Sequence, residues 1–458
     1  MRCNRTRVLV TGAAVLAIGV CAELGFSFNN DAKDPVDDAV SRGLKWLVST
    51  QGKDGGWGQD GGETSYVRQG ERLESNGNDV ANTAVVAEAL LHTGSTPTRG
   101  QYREPLARAV QFVLAHVEQS PAEGLAVTDL RGTQIQRKLG PYIDTFMAAK
   151  LLAELDGDMG TQQTNARVRQ GLQKCVAKIE KNQLKDGSWN IAGGWAPILG
   201  TSMASQSLAI AQSKGAADTQ LALAKVAEYS KAPASAAPGS GGGTGSGSGG
   251  GIGSGSGGGT GSGSGGGIGS GSGGGIGSGS GGGYGPGAGG GFAGGAVTSA
   301  ATTAAEPKDF AMFYAASAGV PLYQSAQALE QLTRTEKDRK ENAEQIKAIS
   351  GALTNEKFVT GFGSIGGEEF FSWLNVSESL HRTGGPEWQK WNSDMKTKLV
   401  KLQNEDGTWA GHHCITGRVA VTSAAILLLA ADRQAPPNAP KDATKDAPKA
   451  VQTSTKNR

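Results

Sequence analysis

A seven-residue signature, Q-x-x-D-G-x-W, occurs three times in this chain, at Gln51 to Trp57, Gln183 to Trp189 and Gln403 to Trp409. Its order carries a structural reading. The Asp-Gly pairs, Asp54-Gly55, Asp186-Gly187 and Asp406-Gly407, suit a tight turn in which glycine takes a positive φ. The tryptophan two positions on can then fold back over apolar surface between neighbouring units. Each copy also closes an amphipathic segment. Apolar residues recur at helical spacing before all three: Val36, Val40, Leu44, Leu47 and Val48; Val168, Leu172, Cys175, Val176 and Ile179; Trp388, Trp391, Met395, Leu399 and Leu402.

A second pattern follows the turns. It is a helix rich in Ala and Leu, apolar nearly all round, with a residue at its start seven positions ahead of a leucine. The pairs are Thr83 and Leu90, Thr145 and Leu152, Thr201 and Leu208, Trp373 and Leu380, and Thr422 and Leu429. A weaker sixth copy runs from Leu322 to Leu329, with Pro321 suited to a helix start. Amphipathic and buried helices therefore alternate, at a step of roughly 50 to 65 residues once a Gly/Ser block is discounted. The predicted fold is all-α, about six helix pairs arranged as a closed ring or a solenoid.

The rest of the chain sorts by composition. Residues 239–294 are a Gly/Ser block with an eight-residue unit marked by Thr244, Ile252, Thr260, Ile268, Ile276 and Tyr284. Such a segment cannot bury a core and reads as a floppy excursion inside the fourth helix pair. Residues 434–458, rich in Pro, Lys, Asp and Ala, read as a disordered tail. At the other end Arg2, Arg5 and Arg7 precede an apolar run from Val8 to Val20, the layout of an export signal with cleavage after Ala22. An uncleaved anchor, or lipid attachment at Cys21, are the alternatives. Residues 1–22 are thus set aside and 34–432 taken as the repeat domain. The expected location is periplasmic, cell-envelope or extracellular, with membrane contact only through an uncleaved N-terminus. Cys175 and Cys414 are then the only mature cysteines, enough for one bridge or none. A net charge of +2 with no basic stripe argues against a nucleic-acid partner.

The three signatures, each followed by an Ala/Leu-rich helix, resemble the prenyltransferase and squalene-oxidase repeats of the terpenoid cyclase and protein prenyltransferase superfamily, squalene cyclase C-terminal-like. The match runs from about Asp34 to Asp432, apart from the Gly/Ser block. The resemblance implies an α/α toroid, an inner ring of helices around a central cavity with an outer ring shielding it. It also implies functional residues at one mouth, near the inner-helix starts. The family's acidic D-x-D-D motif is absent; Asp34-Pro-Val-Asp37-Asp38 has other spacing and is accounted for as a helix start. The prenyltransferases' D-x-C zinc pair is absent too, and so is the Gly-Cys-Gly-Glu-Gln motif of complement-like thioester domains.

Aligning the repeats places Asp79, Asn82, Tyr142, Asp144 and Arg418 at the mouth as binding candidates, with Thr201, Ser202, Glu368 and Glu369. Asp79, Glu369 and Arg418 each stand four residues before the aligned start position. The densest chemistry is in the last repeat, where His412, His413 and Cys414 adjoin. Imidazole and thiolate are natural zinc ligands. Adjacent residues seldom ligate one ion together, so His413 and Cys414 would need Asp144, Glu368 or Glu369 from across the mouth. Without a metal, Cys414 becomes a candidate nucleophile beside His412 or His413. The bland reading is a polar loop that hydrogen-bonds neighbouring units. Phe310, Phe313, Tyr314, Phe370, Phe371 and Trp373 are candidates for cavity wall or core.

Three functions fit these residues. The first is an exported binding protein that holds an apolar small molecule or a polypeptide segment in the ring's cavity. The second is a metal- or thiol-dependent enzyme, a transferase, cyclase or hydrolase, built on the His-His-Cys cluster, with zinc as the implied cofactor. The third is a structural cell-envelope component. Cys175, on the apolar face of its helix, reads as core.

Overall fold

The computed structural model describes residues 34–62, 77–191, 197–231, 320–361 and 364–433, together with several two-residue extended segments. The leader, the tail, most of the Gly/Ser block, and Phe310, Phe313 and Tyr314 lie outside the described residues. Inside the block, Gly245–Ser246 pairs in parallel with Gly261–Ser262, and Gly253–Ser254 with Gly269–Ser270.

The described helices are α1 (Pro35–Ser49), α2 (Val80–His92), α3 (Arg103–Gln119), α4 (Gln134–Leu139), α5 (Ile143–Leu155), α6 (Gln162–Lys181), α7 (Pro197–Ser213), α8 (Gln220–Lys231), α9 (Val320–Leu332), α10 (Glu336–Glu341), α11 (Ala343–Ala352), α12 (Glu356–Val359), α13 (Gly367–Thr383), α14 (Gly385–Leu402) and α15 (Arg418–Leu429). None of them is long and apolar enough to cross a membrane. Six pack in a cycle: α2 on α5, α5 on α7, α7 on α9, α9 on α13, α13 on α15, and α15 back on α2. This is the inner ring. Outside it, α1 packs on α15 and α2, α3 on α2, α6 on α5, α8 on α7 and α9, α11 on α9, and α14 on α13 and α15.

Sequence explains which helix goes where. Every residue of α2 from Val80 to Leu90 is buried, and so is α15 from Val419 to Leu429. A helix with no polar face must be covered on all sides. By contrast α1 buries only Ala39, Val40, Gly43, Leu44 and Leu47, one stripe. Its start is fixed by Asp34, whose carboxylate accepts from Val36 N at 2.8 Å, and by Pro35 in the first turn.

The signature is the fastener between units, and its three copies share one set of bonds. Each glycine has a positive φ: Gly55 at 90°, Gly187 at 91° and Gly407 at 86°. Each aspartate accepts from the amide two residues on, Asp54 from Gly56, Asp186 from Ser188 and Asp406 from Thr408. The indole N–H reaches the carbonyl ten residues back: Trp57 to Leu47 at 2.8 Å, Trp189 to Ile179 at 2.7 Å, Trp409 to Leu399 at 2.8 Å. The tryptophan amide donates to the threonine of the next inner helix, Thr83, Thr201 or Thr422. Each glutamine amide then spans two carbonyls, one inside its own turn and one on the following outer helix: Pro105 for Gln51, Ala222 for Gln183, Ala39 for Gln403. The last of these joins the sixth unit to the first and closes the ring. Removing one such buried indole costs about 3–5 kcal/mol.

Units without the signature use substitutes. In the second, Lys178 of α6 donates to the carbonyls of Gly124 and Ala126. In the fifth, the indole comes from the inner helix itself, Trp373 Nε1 donating to Val359 O at 2.9 Å. Short α4 lies across the inner-helix N-termini. Its Gln134 holds the Thr416 and Gly417 amides before α15, and its own amide donates to Gln59. Gln136 reaches Asp144 of α5, and the Leu139 carbonyl lies so close to Gly200 of α7 that a Cβ there would sit 2.2 Å from it. One mouth of the ring is therefore bridged. Cys175 is fully buried in the core, and both Cys175 and Cys414 are free thiols.

Candidate functional site

At the start of α13, Gly366 and Gly367 let the loop 411–415 come into backbone contact. A Cβ on Gly366 would stand 2.6 Å from His413 Nδ1, and one on Gly367 would stand 2.5 Å from Ile415 Cβ. The Gly367 amide donates to Ile415 O, and the His412 amide to Ile365 O. These bonds press the His-His-Cys run of the sixth unit against the Glu368-Glu369 pair of the fifth.

Glu368, His413 and Cys414 meet there, each offering a ligand atom within 4.8 Å of the others. Glu368 is fully buried. Its Oε2 accepts from the Ile415 amide at 3.2 Å, while its Oε1 has no hydrogen-bond partner. Burial pushes the Glu368 carboxyl up to about 7, against the opposing bonds from its own backbone and from the Cys414 thiol. Burial, then the Glu368 charge, pushes the Cys414 thiol up to about 12. Cys414 is also the one non-glycine residue with positive φ among the described residues, at 57°. That conformation costs an L-residue about 1–2 kcal/mol, and such strain gathers at functional sites.

The surroundings orient the cluster. His413 Nε2 donates to the Ser364 carbonyl, which fixes the ring's orientation. Glu369 Oε2 lies 4.0 Å from His413 Nε2 and accepts from the Gly366 amide at 2.9 Å. Tyr323 of α9 donates to Glu369 Oε1 at 3.1 Å, and burial followed by the Glu369 charge raises its phenol well above the usual range. Tyr323 carried no signal in the sequence beyond its place in the weak sixth copy.

The other rim candidates have different partners. Asp144 does not join the cluster: its Oδ1 accepts from the Ala81 amide at 3.1 Å and its Oδ2 from Gln136 at 2.6 Å. Asp79 caps α2, accepting from the Asn82 amide and side chain, both at 2.8 Å. Burial and the nearby Asp144 charge push Asp79 up to about 7, and burial raises Asp144 as well. Arg418 bonds Asp60 and Asp406 at 3.1 Å and covers the Trp46 ring, so it works at the ring-closing seam. His412 is exposed, and Tyr142 sits half-buried at the start of α5.

Below the rim, the inner ring leaves a narrow cleft of only about 30 Å³. Along α13 the residues Glu368, Phe371, Asn375 and Glu378 fall on one stripe. Phe371, Asn375 and Glu378 line the cleft with Phe146, Met203 and Glu88, among others. Phe370 and Trp373 instead pack on each other, with ring centroids 4.9 Å apart. The cleft is not purely apolar. Lys150 bridges Glu88 at 3.0 Å and Glu378 at 2.9 Å, a group that the sequence did not announce.

No family profile and no curated protein matches the chain. Among solved structures, a type II terpene cyclase from Scytonema, in complex with its substrate geranylgeranyl dihydroxybenzoate, is similar at a TM-score of 0.45 and 10% identity. That match covers 87% of this chain and 98% of the other.

Proposed function

We propose that this protein is a zinc-dependent enzyme acting outside the cytoplasm, with the metal held at the rim of the ring by Glu368, His413 and Cys414. The observation that carries this reading is the buried Glu368 Oε1, without a donor, beside a thiol and an imidazole. A divalent cation supplies what those groups lack. It neutralises the Glu368 carboxylate, and it removes the thiol proton outright. Ligand atoms on a tetrahedral zinc stand about 3.5 Å apart, given bonds of about 2.0–2.3 Å, so the present spacing closes with side-chain adjustment alone. The Nε2 bond to Ser364 gives His413 the backbone partner that zinc-binding imidazoles usually have.

Three protein ligands leave a fourth position open, the arrangement of catalytic rather than structural zinc. Metal bound there would polarise a substrate carbonyl or phosphoryl oxygen, or activate a water, so the reaction class is hydrolysis or group transfer. The arginine-rich, then apolar N-terminus supports an extracytoplasmic site of action.

Cobalt substitution tests the reading. Full-length protein titrated with Co²⁺ should show tetrahedral d–d bands and a thiolate charge-transfer band at one equivalent, and Cys414→Ser should lose the charge-transfer band. A featureless titration of correctly folded protein rejects the proposal.

A further inference from the structure

The segment that crosses the mouth beside the rim cluster is basic. From Arg131 to Lys138 it carries three cations, Arg131, Arg137 and Lys138, and no acid. The acids of this stretch of rim are buried: Glu368, Glu369 and Asp144. Two of them already have protein donors. Asp144 has Gln136 and the Ala81 amide, and Glu369 has Tyr323 and the Gly366 amide.

Of the three cations, Lys138 is the one that the fold turns toward the cluster. Gln134 and Lys138 stand one turn apart on α4, so they share a face. Gln134 uses that face to hold the residues just after Cys414. It accepts from the Thr416 and Gly417 amides at 2.9 and 3.0 Å and donates to Thr416 Oγ1 at 2.9 Å. A helical side chain leans back over the preceding turn, which brings the Lys138 stem toward the same loop. The electrostatics agree: burial and then the Glu368 charge raise the Cys414 thiol, and the Lys138 ammonium lies near enough to pull it back. The platform is well anchored. A helix of six residues does not persist alone, but α4 starts in a capping box of Thr133 and Gln136 and is tied to the loop before α15 and to Asp144.

The cluster opens outward. His412 is exposed, the His413 side chain is 24% accessible, and Cys414 and Lys138 are half-buried. A substrate therefore reaches the metal from outside the rim and not through the narrow central cleft. With zinc in place, the Glu368 carboxylate and the Cys414 thiolate match its charge, so the Lys138 ammonium is left to meet a charge on the substrate.

We infer that Lys138 determines specificity at the rim site by pairing with an anionic group that the substrate carries a few bonds from the atom meeting the metal. This rests on the zinc reading above and names the substrate class of that same site: an anion, bearing either a carboxylate or a tetrahedral oxyanion such as phosphate.

Thiol binding to the cobalt-loaded full chain tests it. The probes are 2-mercaptoethanesulfonate and 2-mercaptoethanol, which present the same thiol to the metal and differ in the charge at the far end. Each is titrated while the growth of a second thiolate charge-transfer band is followed. Wild type should bind the sulfonate about tenfold more tightly than the alcohol, the worth of one charge-assisted hydrogen bond. Lys138→Gln should lose that preference while keeping the cobalt spectrum of the free protein, and Lys138→Arg should retain it. If Lys138→Gln fails to fold, Lys138→Met, which keeps the half-buried stem, takes its place. Equal binding of both probes to wild type, or a preference that survives Lys138→Gln or Lys138→Met, overturns the inference and leaves the zinc reading standing. Protein without cobalt bands rejects the zinc reading and this inference with it. A third probe, 3-mercaptopropionate, separates the two anions: whichever of it and the sulfonate loses more affinity on Lys138→Gln identifies a carboxylate or a tetrahedral oxyanion as the group recognised.

Discussion

Two stretches of one rim carry buried acids at equivalent helix starts, and they are completed differently. At α2 and α5, Asp79 and Asp144 place their oxygens on protein donors: the Asn82 amide and side chain, the Ala81 amide and Gln136. At α13, Glu368 has the Ile415 amide on one oxygen and no donor on the other. Short α4 accounts for much of the contrast. It carries Gln136 to Asp144, while its Gln134 is taken up by the Thr416 and Gly417 amides. The lesson is that a buried carboxylate at a helix start is not by itself a site. What marks a site is an acid whose donors are missing while soft ligands stand beside it.

The contrast can be broken most strongly through pH. Asp79 is pushed from 3.8 to about 7 by burial and then by the Asp144 charge. Its folded value lies above its unfolded one, so between about pH 4 and 7 the folded protein holds the extra proton and stability falls as pH rises. Asp79→Asn removes that titration. In chelator, it should lose about 4 kcal/mol less than wild type between pH 4 and pH 8, read by urea unfolding; a pH profile that overlays wild type contradicts the assignment.

Next in size is Asp144→Ala. It strands the Ala81 amide and Gln136 in the interior and should lower stability by about 2 kcal/mol, with zinc binding unchanged. Lost zinc affinity in a folded variant would mean that the two stretches are one site.

Gly366→Ala sharpens the comparison from the other side. Its φ is an ordinary −95°, so only the clash with His413 matters. Zinc affinity should fall about tenfold by competition with a chromophoric chelator, and unaltered affinity would show that the loop 411–415 yields freely. The smallest effect belongs to Tyr323→Phe, which deletes one bond to Glu369. About 1 kcal/mol of stability should go, and zinc affinity should hold within a few-fold.

The fold was largely legible because its signals are local. The D-G turn, the tryptophan and the helical spacing of Leu44, Leu172 and Leu399 all lie within one unit. The inner-helix threonines were legible as markers, though not as acceptors for the tryptophan amides. The site was half legible. His413 and Cys414 are conspicuous, but Glu368, Glu369 and Asp144 looked alike as acids near helix starts. Choosing among them depends on what α4 and the loop 411–415 bring from far along the chain. Lys150, Glu88 and His92 were silent because a single charged residue in an apolar helix reads as surface until the ring shows it facing inward.

The central claim is that the rim acid without its donors holds the metal. Zinc titration by calorimetry of wild type, Glu368→Ala and Asp144→Asn tests it directly. The account predicts one zinc per chain in wild type and Asp144→Asn, and at least a hundredfold loss of affinity in Glu368→Ala. Zinc bound equally by all three, or by none of them while folded, would contradict it.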